Sequence, residues 1–267
     1  MMWHEHSSGG SSPRTTDHFA PPGVEAYPWR IRRSAHASDA IIAGCEKVKR
    51  NLIEVQEVRR PIHVLPPLQK LGPIAEAEDI GPASGPIHIA FFGRLEAAKG
   101  IGALLRLWPQ VTIGEHRLHF FGPDPDNQWE RFATQQGLAD RTTFHGPYQR
   151  RELARLAGMV HLAVLPSFVE GCPVSIIEMM AYGVPFVMTD VGAAAEFTCD
   201  NPDGMLSPFS DCELKEVIEK MVHRVRSGRC SRKRLQEFYR KHYSYEVVSG
   251  AYLSLFGLME TGKVVAQ

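Results

Sequence analysis

The stretch IHIAFFGRLEAAKG, residues 87–100, decides the fold. Its first six residues have strand length and β-branched or aromatic content, and a glycine follows them directly. Comparable runs recur downstream: RLHFF (117–121), TTFH (142–145), VHLAVL (160–165) and VPFVMT (184–189). Between them lie segments of helix length, near 98–108, 126–137, 149–157 and 174–182. Strands alternating with helices at this spacing make βαβ units. The chain therefore predicts an α/β fold built on a Rossmann-like parallel sheet covered on both faces. In such sheets ligands settle at the carboxyl ends of the strands, in the loops that lead into helices.

Outward from this core the character changes. After residue 211 the sequence is helical (ELKEVIEKMVHRV, RKRLQEFYRKH, YEVVSGAYLSLFGLM). Upstream, residues 67–86 are rich in proline and glycine, which marks a linker. Residues 29–66 show partial helical spacing, broken by the apolar run DAIIAG and closed by a short strand, PIHVLP. Residues 1–28 are rich in Ser, Gly, Pro and His without apolar periodicity and read as a disordered tail. His4 and His6 fit that tail better than a metal site. The sheet domain then spans 87–243, and a closing helix spans 244–267.

Composition excludes several classes. Apolar residues make up 43% and charged residues 22%, ordinary for a globular protein, and formal net charge is zero. There is thus no global field to recruit nucleic acid. The five cysteines are scattered with no Cys-x-x-Cys pair, which argues against a disulfide framework or a zinc site and fits a reducing cytoplasm. No apolar run approaches the ~18–20 residues of a membrane span.

The first strand runs into Gly93, Arg94 and, five residues after Arg94, Lys99. Glycine there lets a ligand approach the backbone, and the two cations suit a diphosphate, Arg as a planar fork and Lys as a point charge. A solvated loop with incidental charges accounts for this segment equally well. The second signal is PSFVEGCPVSIIE, residues 166–178. Pro173 suits the first turn of a helix, Gly171 frees the backbone, and the helix N-terminus offers unpaired N–H groups to an anion. Glu178 lies among Ile176, Ile177, Met179 and Met180, where a carboxylate is costly to bury unless hydrogen bonds compensate; ribose hydroxyls would do so. The alternative is that it faces solvent or pairs with a structural Arg.

Together these pieces resemble the C-terminal domain of glycosyltransferase family 4, the group 1 glycosyl transferases of GT-B fold. The matching residues are Gly93-Arg94-Leu95-x-x-x-Lys99-Gly100, the Glu-x7-Glu pair Glu170 and Glu178, Gly183-Val184-Pro185, and Thr189-Asp190-Val191-Gly192 leading to Glu196. The resemblance implies a nucleoside-diphosphate sugar as donor, retention of anomeric configuration, and no metal or other cofactor. It implies that Arg94 and Lys99 hold the diphosphate, Glu170 contacts the transferred sugar, and Glu178 accepts from the ribose. The backbone at Gly171, Cys172 and Pro173 would help with phosphate, and the base would rest near Gly122 and the loop ending at Tyr148.

By the same resemblance, 29–66 is a truncated remnant of the N-terminal acceptor domain, of which only a short tail precedes residue 29. Two departures stand out: Leu65-Pro66-Pro67 replaces a common Pro-Asn-Gly, and Gly192-Ala193 breaks a usual glycine pair. The acceptor is unknown. Besides a retaining glycosyltransferase, a non-catalytic nucleotide-sugar-binding subunit, a nucleotide-sugar epimerase of the same fold and a truncated relic remain open. Apolar surface on the remnant predicts self-association or a partner chain.

Other candidates weigh less. Cys172 at a helix N-terminus is a conceivable nucleophile, but plain packing suits it better. His116 and His119 lack carboxylate company for a metal, and His145 and His161 read as core or edge histidines. The basic cluster from His223 to Arg234 would suit anionic lipid headgroups, peripheral at a membrane, although a solvated helix face explains it better.

Overall fold

The computed structural model describes residues 33–79, 85–208 and 210–260. The tail with His4 and His6, part of the linker and the last seven residues lie outside the described residues.

Two parallel sheets are present among the described residues. The smaller pairs β1 (Ile41–Ala43) with β2 (Ile62–Val64), connected through helix α1 (Glu46–Glu54). The larger contains β3 (Ile87–Phe92), β4 (His116–Phe121), β5 (Thr142–Phe144), β6 (Leu162–Leu165), β7 (Phe186–Thr189) and β8 (Gly204–Ser207). Helices α2 (Ile101–Leu107), α3 (Gln128–Gln135), α4 (Leu153–Gly158), α5 (Val174–Ala181) and α6 (Ala194–Thr198) follow the first five of these strands in turn. After β8 come α7 (Asp211–Arg226), α8 (Arg232–His242) and α9 (Tyr245–Glu260).

The large sheet has the order β5-β4-β3-β6-β7-β8, with every neighbouring pair parallel. From β3 the chain moves outward to β4 and β5, then returns to lay β6 beside β3 and moves outward the other way. The order reverses between β3 and β6, so the loops after these two strands part and leave a crevice at their carboxyl ends. This is the α/β architecture that the alternating runs predict.

Burial explains why those runs were readable. Phe91, Phe120, Phe186, Ile89 and Trp108 are fully buried, and all four residues of β6 and of β7 are buried. Each large apolar side chain among these contributes about 1.5–3 kcal/mol by leaving water. β8 and the short α6 were not anticipated. The first begins with a glycine, and the second is five residues long and starts with two alanines. In 29–66 the partial helical spacing resolves into a helical turn at 33–36, then β1 and α1 separated by Gly44 and Cys45. Ala35, Ala43, Val58 and Ile62 form a small core of their own there.

Two segments differ from their sequence reading. The basic cluster keeps His223, Arg229 and Lys233 exposed, as a solvated face would, but part of it is structural: Arg234 clamps the fully buried Asp203 with two bonds of 2.9 Å. Arg232 donates to the carbonyls of Gly183, Tyr182 and Ala157, and Arg226 to those of Gly85 and Glu115. Asp203 is a buried acceptor that would be costly unpaired, the acceptors of Arg232 are partly covered, and those of Arg226 are exposed. Residues 65–79 have no regular structure but are bonded to the helices along their length. Tyr252 donates to the Pro66 carbonyl (3.3 Å), Gln236 bonds the carbonyl of Ala75 and the N–H of Ala77, and Asp79 accepts from Ser231 (2.9 Å).

Candidate functional site

A cleft of about 310 Å³ opens at the crevice between β3 and β6. It is lined by Gly93, Arg94 and Lys99 from the loop after β3, by Glu170, Pro173 and Glu178 from the loop and helix after β6, and by Tyr148. Seven of the ten residues singled out in the sequence thus meet in one place.

The β3 loop is fixed from beneath. Gly122, at the end of β4, has φ of +146°, and a Cβ there would sit 1.8 Å from the Gly93 carbonyl oxygen. Only glycine lets the two strand ends approach so closely. Beside this contact lies a second hollow of about 370 Å³, lined by Gly122, Pro123, Phe144, His145 and Pro147 among others. On the other side, the N–H of Phe168 donates to the carbonyl of Ala98 at 2.9 Å, joining the loop after β6 to the loop after β3.

Charged groups bridge the crevice. Lys99 Nζ lies 2.7 Å from Glu170 Oε1, and Ser167 donates to the same oxygen at 2.7 Å. Both ends of this pair are largely covered, at 22% and 10% side-chain exposure, so it is less screened than a surface pair. Arg94 is turned outward and paired with Glu96 at 2.7 Å, its side chain 70% exposed.

Helix α5 enters from the side. Pro173 stands at its N-cap, one position earlier than the sequence suggested, and Val174 and Ser175 line the cleft. Their N–H groups have no partner inside the helix. One turn on, Glu178 is only 7% exposed, held by Arg150 Nε and Nη2 at 3.3 and 3.2 Å. Burial pushes its carboxyl above the usual range, while the Arg150 hydrogen bond and charge pull it back. Tyr148 closes the wall, edge-on to Phe92 at 5.9 Å, and burial raises its phenol well above the ordinary range.

Gly171 and Cys172 do not line the cleft; they lie behind it, against the small sheet. Cys45 Sγ donates to the Gly171 carbonyl at 3.2 Å. Gly192, with φ of +53°, packs so closely under this loop that a Cβ would fall 2.1 Å from the Gly171 carbonyl. Burial pushes the Cys172 thiol up to about 12, aided by nearby Cys45, Glu196 and Glu170, which leaves it a thiol and a poor nucleophile. Around the same loop, Lys47 reaches the Asp190 carbonyl (2.7 Å) and Glu196 accepts from the Glu46 N–H (2.8 Å).

Sequence reasoning missed Arg150, and it quoted Ser167 and Thr189 in motifs without giving either a role. Thr189 donates to the Ser167 carbonyl and so anchors the loop that carries Glu170. Ser167, three residues before Glu170, was legible in the motif. Arg150 was not, because only the fold brings it to Glu178, 28 residues away.

Residues 86–225 match the family model described as glycosyl transferases group 1. Among curated proteins, the chain is similar to D-inositol 3-phosphate glycosyltransferase of Paenarthrobacter aurescens, at 27% identity over 57% of this chain and 40% of that protein. It is also similar to the enzyme of that name from Xylanimonas cellulosilytica, at 30% identity over 64% of this chain and 45% of that one. The chain spans less than half the length of either. Among solved structures, sucrose-phosphate synthase from Thermosynechococcus elongatus superposes with a TM-score of 0.76 at 19% identity, covering 91% of this chain and 64% of that one. HepE of Anabaena, in complex with UDP and glucose, superposes with a TM-score of 0.68 at 18% identity over 86% of this chain and 67% of that one. At these identities the likeness to solved structures is one of fold.

Proposed function

This chain belongs to the group 1 glycosyl transferases, and from that premise we propose that it binds a nucleoside-diphosphate sugar in the β3–β6 crevice and serves sugar transfer with retention. The observation that carries the reading is the convergence of Lys99, Glu170, Glu178 and the first turn of α5 on one cleft at the point where the strand order reverses.

In this reading the diphosphate lies across the Arg94–Lys99 loop and the first turn of α5, where two cations and a helix N-terminus meet its charge. Arg94 leaves Glu96 for the ligand. Charge that develops on the leaving diphosphate is met by these groups, so the reading asks for no metal. Glu178 accepts from ribose hydroxyls and Glu170 from hydroxyls of the sugar, while the base rests between Tyr148 and the Gly122 hollow. The bond from the anomeric carbon to the phosphate breaks and the acceptor oxygen bonds from the same face, its proton passing to the departing phosphate oxygen.

Curated relatives named for glycosyl transfer and a neighbour holding UDP and glucose support the donor class. The relatives named for D-inositol 3-phosphate make a small polar acceptor the first to try. The free cysteines, five among the described residues, suit a reducing compartment, which we take as the cytoplasm. The test is proton NMR of the product formed from an α-linked donor, with and without chelator. An α-linked product, formed equally in chelator, supports the reading; a β-linked product would sink retention, and loss in chelator would sink metal independence.

A second reading is favoured by one observation. Ile42, Ile53 and Val55 of the small unit are 39%, 47% and 57% exposed. Another polypeptide covering this face would complete the acceptor side of the cleft, making the chain a donor-binding subunit. Transfer that appears only after addition of a candidate partner would select it.

A further inference from the structure

Arg150 begins the helical turn before α4, immediately after the Gln149 cap. Its guanidinium faces two ways. Toward the cleft, Nε and Nη2 hold Glu178 Oε1 at 3.3 and 3.2 Å. Toward the 65–79 segment, Nη2 donates to the Gln69 side-chain oxygen and Nη1 to the Lys70 carbonyl at 3.5 Å. Lys70 itself lies 5.6 Å over the Tyr245 ring at the start of α9. One side chain therefore joins the carboxylate on the wall of the cleft to the segment that links the small sheet to the large one.

The two ends are unequally exposed. Glu178 is 9% exposed at its side chain, and Arg150 is 44% exposed. A carboxylate so covered is held ionised only by a partner, and removing that partner leaves a buried charge uncompensated. Arg150 is the cation in contact with it. The other titratable groups around Glu178 are Tyr148, Tyr182 and, farther off, Tyr239, all of which burial keeps neutral, with Lys99 and Glu170 across the cleft.

We propose that Arg150 is a positioning residue for the donor. It keeps Glu178 ionised and aimed into the cleft, and through Gln69 and Lys70 it ties that carboxylate to the strap between the two sheets. The proposal rests on the donor reading above. When a ribose supplies hydroxyl donors to Glu178, Arg150 remains its counter-charge rather than its only partner. The strap is thereby held in register with an occupied cleft.

The test is calorimetric titration of the chain with uridine, guanosine and adenosine diphosphates between pH 5.5 and 9, on the native chain, Arg150→Met, Arg150→Lys and Gln69→Ala. Without Arg150 the Glu178 carboxyl protonates at a higher pH. Arg150→Met should then lose roughly tenfold in affinity at pH 7, a deficit that widens as pH falls and narrows toward pH 9. Arg150→Lys should recover most of the affinity and the native pH profile. Gln69→Ala should leave the profile unmoved and lower affinity only a few-fold. In the ligand-free proteins, carbon NMR of the Glu178 carboxyl should show its titration displaced upward in Arg150→Met, a readout that does not depend on the ligand. A native-like profile in Arg150→Met, or an equal loss at every pH, would overturn the role of Arg150 while leaving the donor site standing. If the native chain binds none of the three diphosphates at any pH, the donor reading itself fails and this role falls with it.

Discussion

Lys99 and Glu170 stand 71 residues apart in the chain and 2.7 Å apart at their charged ends. Ser167 adds a second bond to the same oxygen, so Glu170 stays oriented even without the lysine. Lys99→Ala should therefore weaken nucleoside-diphosphate binding without unfolding the chain. A charge-assisted bond is worth about 1.5–3 kcal/mol, which converts to roughly a 10–100-fold rise in Kd by calorimetry. Cys172→Ala, in contrast, should leave binding within about twofold, because its thiol is half-buried, protonated and outside the cleft lining. Gly192 is a residue whose replacement should hurt out of proportion to its size. Its positive φ and the 2.1 Å approach to the Gly171 carbonyl leave no room for a methyl. Gly192→Ala should cost about 2–3 kcal/mol, read as a lower denaturation midpoint, and should loosen the loop that carries Glu170.

Across the sheet, four histidines form a row. His161 Nδ1 accepts from the His88 N–H at 3.0 Å, His88 Nδ1 meets His119 Nε2 at 2.8 Å, and His119 Nδ1 meets His145 Nε2 at 3.0 Å. Burial, then the charges of His88 and His145, lower His119 to about 4, and burial lowers His145 and His161 as well. These groups have folded values below their unfolded ones, so the unfolded chain binds more protons from about pH 6.5 downward. Stability is intact above that range and is lost as pH falls through it toward 4. Discounted for partial exposure, His119 alone should account for about 1–2 kcal/mol between pH 7 and 5. Urea denaturation of the native chain and of His119→Gln at both pH values checks this; equal midpoints for the native chain at pH 7 and 5 would contradict it.

The row was not legible in advance, because its members lie on β3 and β4 and at the ends of β5 and β6, strands whose order the sequence does not state. The strands themselves were legible, since β3 to β7 carry long apolar or aromatic side chains. β8 (GMLS) opens on glycine and ends on serine with no β-branched or aromatic residue, and α6 (AAEFT) is five residues long, so neither carries a pattern that stands out. In the same way, Arg94, Lys99, Glu170 and Glu178 sit in local motifs that announce themselves. Arg150 acts only through a contact that folding creates, and the same holds for Arg234, which remains at the surface while its guanidinium clamps Asp203.

At the scale of the whole molecule, the large sheet has a complete core, whereas the small one has two strands and a handful of buried residues. Leu253 and Phe256 of α9 are also 71% and 49% exposed, adding to the apolar surface of Ile53 and Val55. Exposed apolar surface of this kind favours association. Light scattering should show a mass that rises with concentration, and Ile53→Glu with Val55→Glu should reduce that rise; a constant monomer mass across a wide range would contradict it.

The central claim is that the β3–β6 crevice is a nucleotide-sugar site. Calorimetric titration of the chain with uridine, guanosine and adenosine diphosphates and their sugars, in chelator, tests it most directly when run beside Glu178→Ala and Arg94→Ala. Saturable binding of one nucleotide, weakened at least tenfold in both variants, is the expected result. Binding that survives both substitutions unchanged, or a folded native chain that binds none of the ligands, would contradict it.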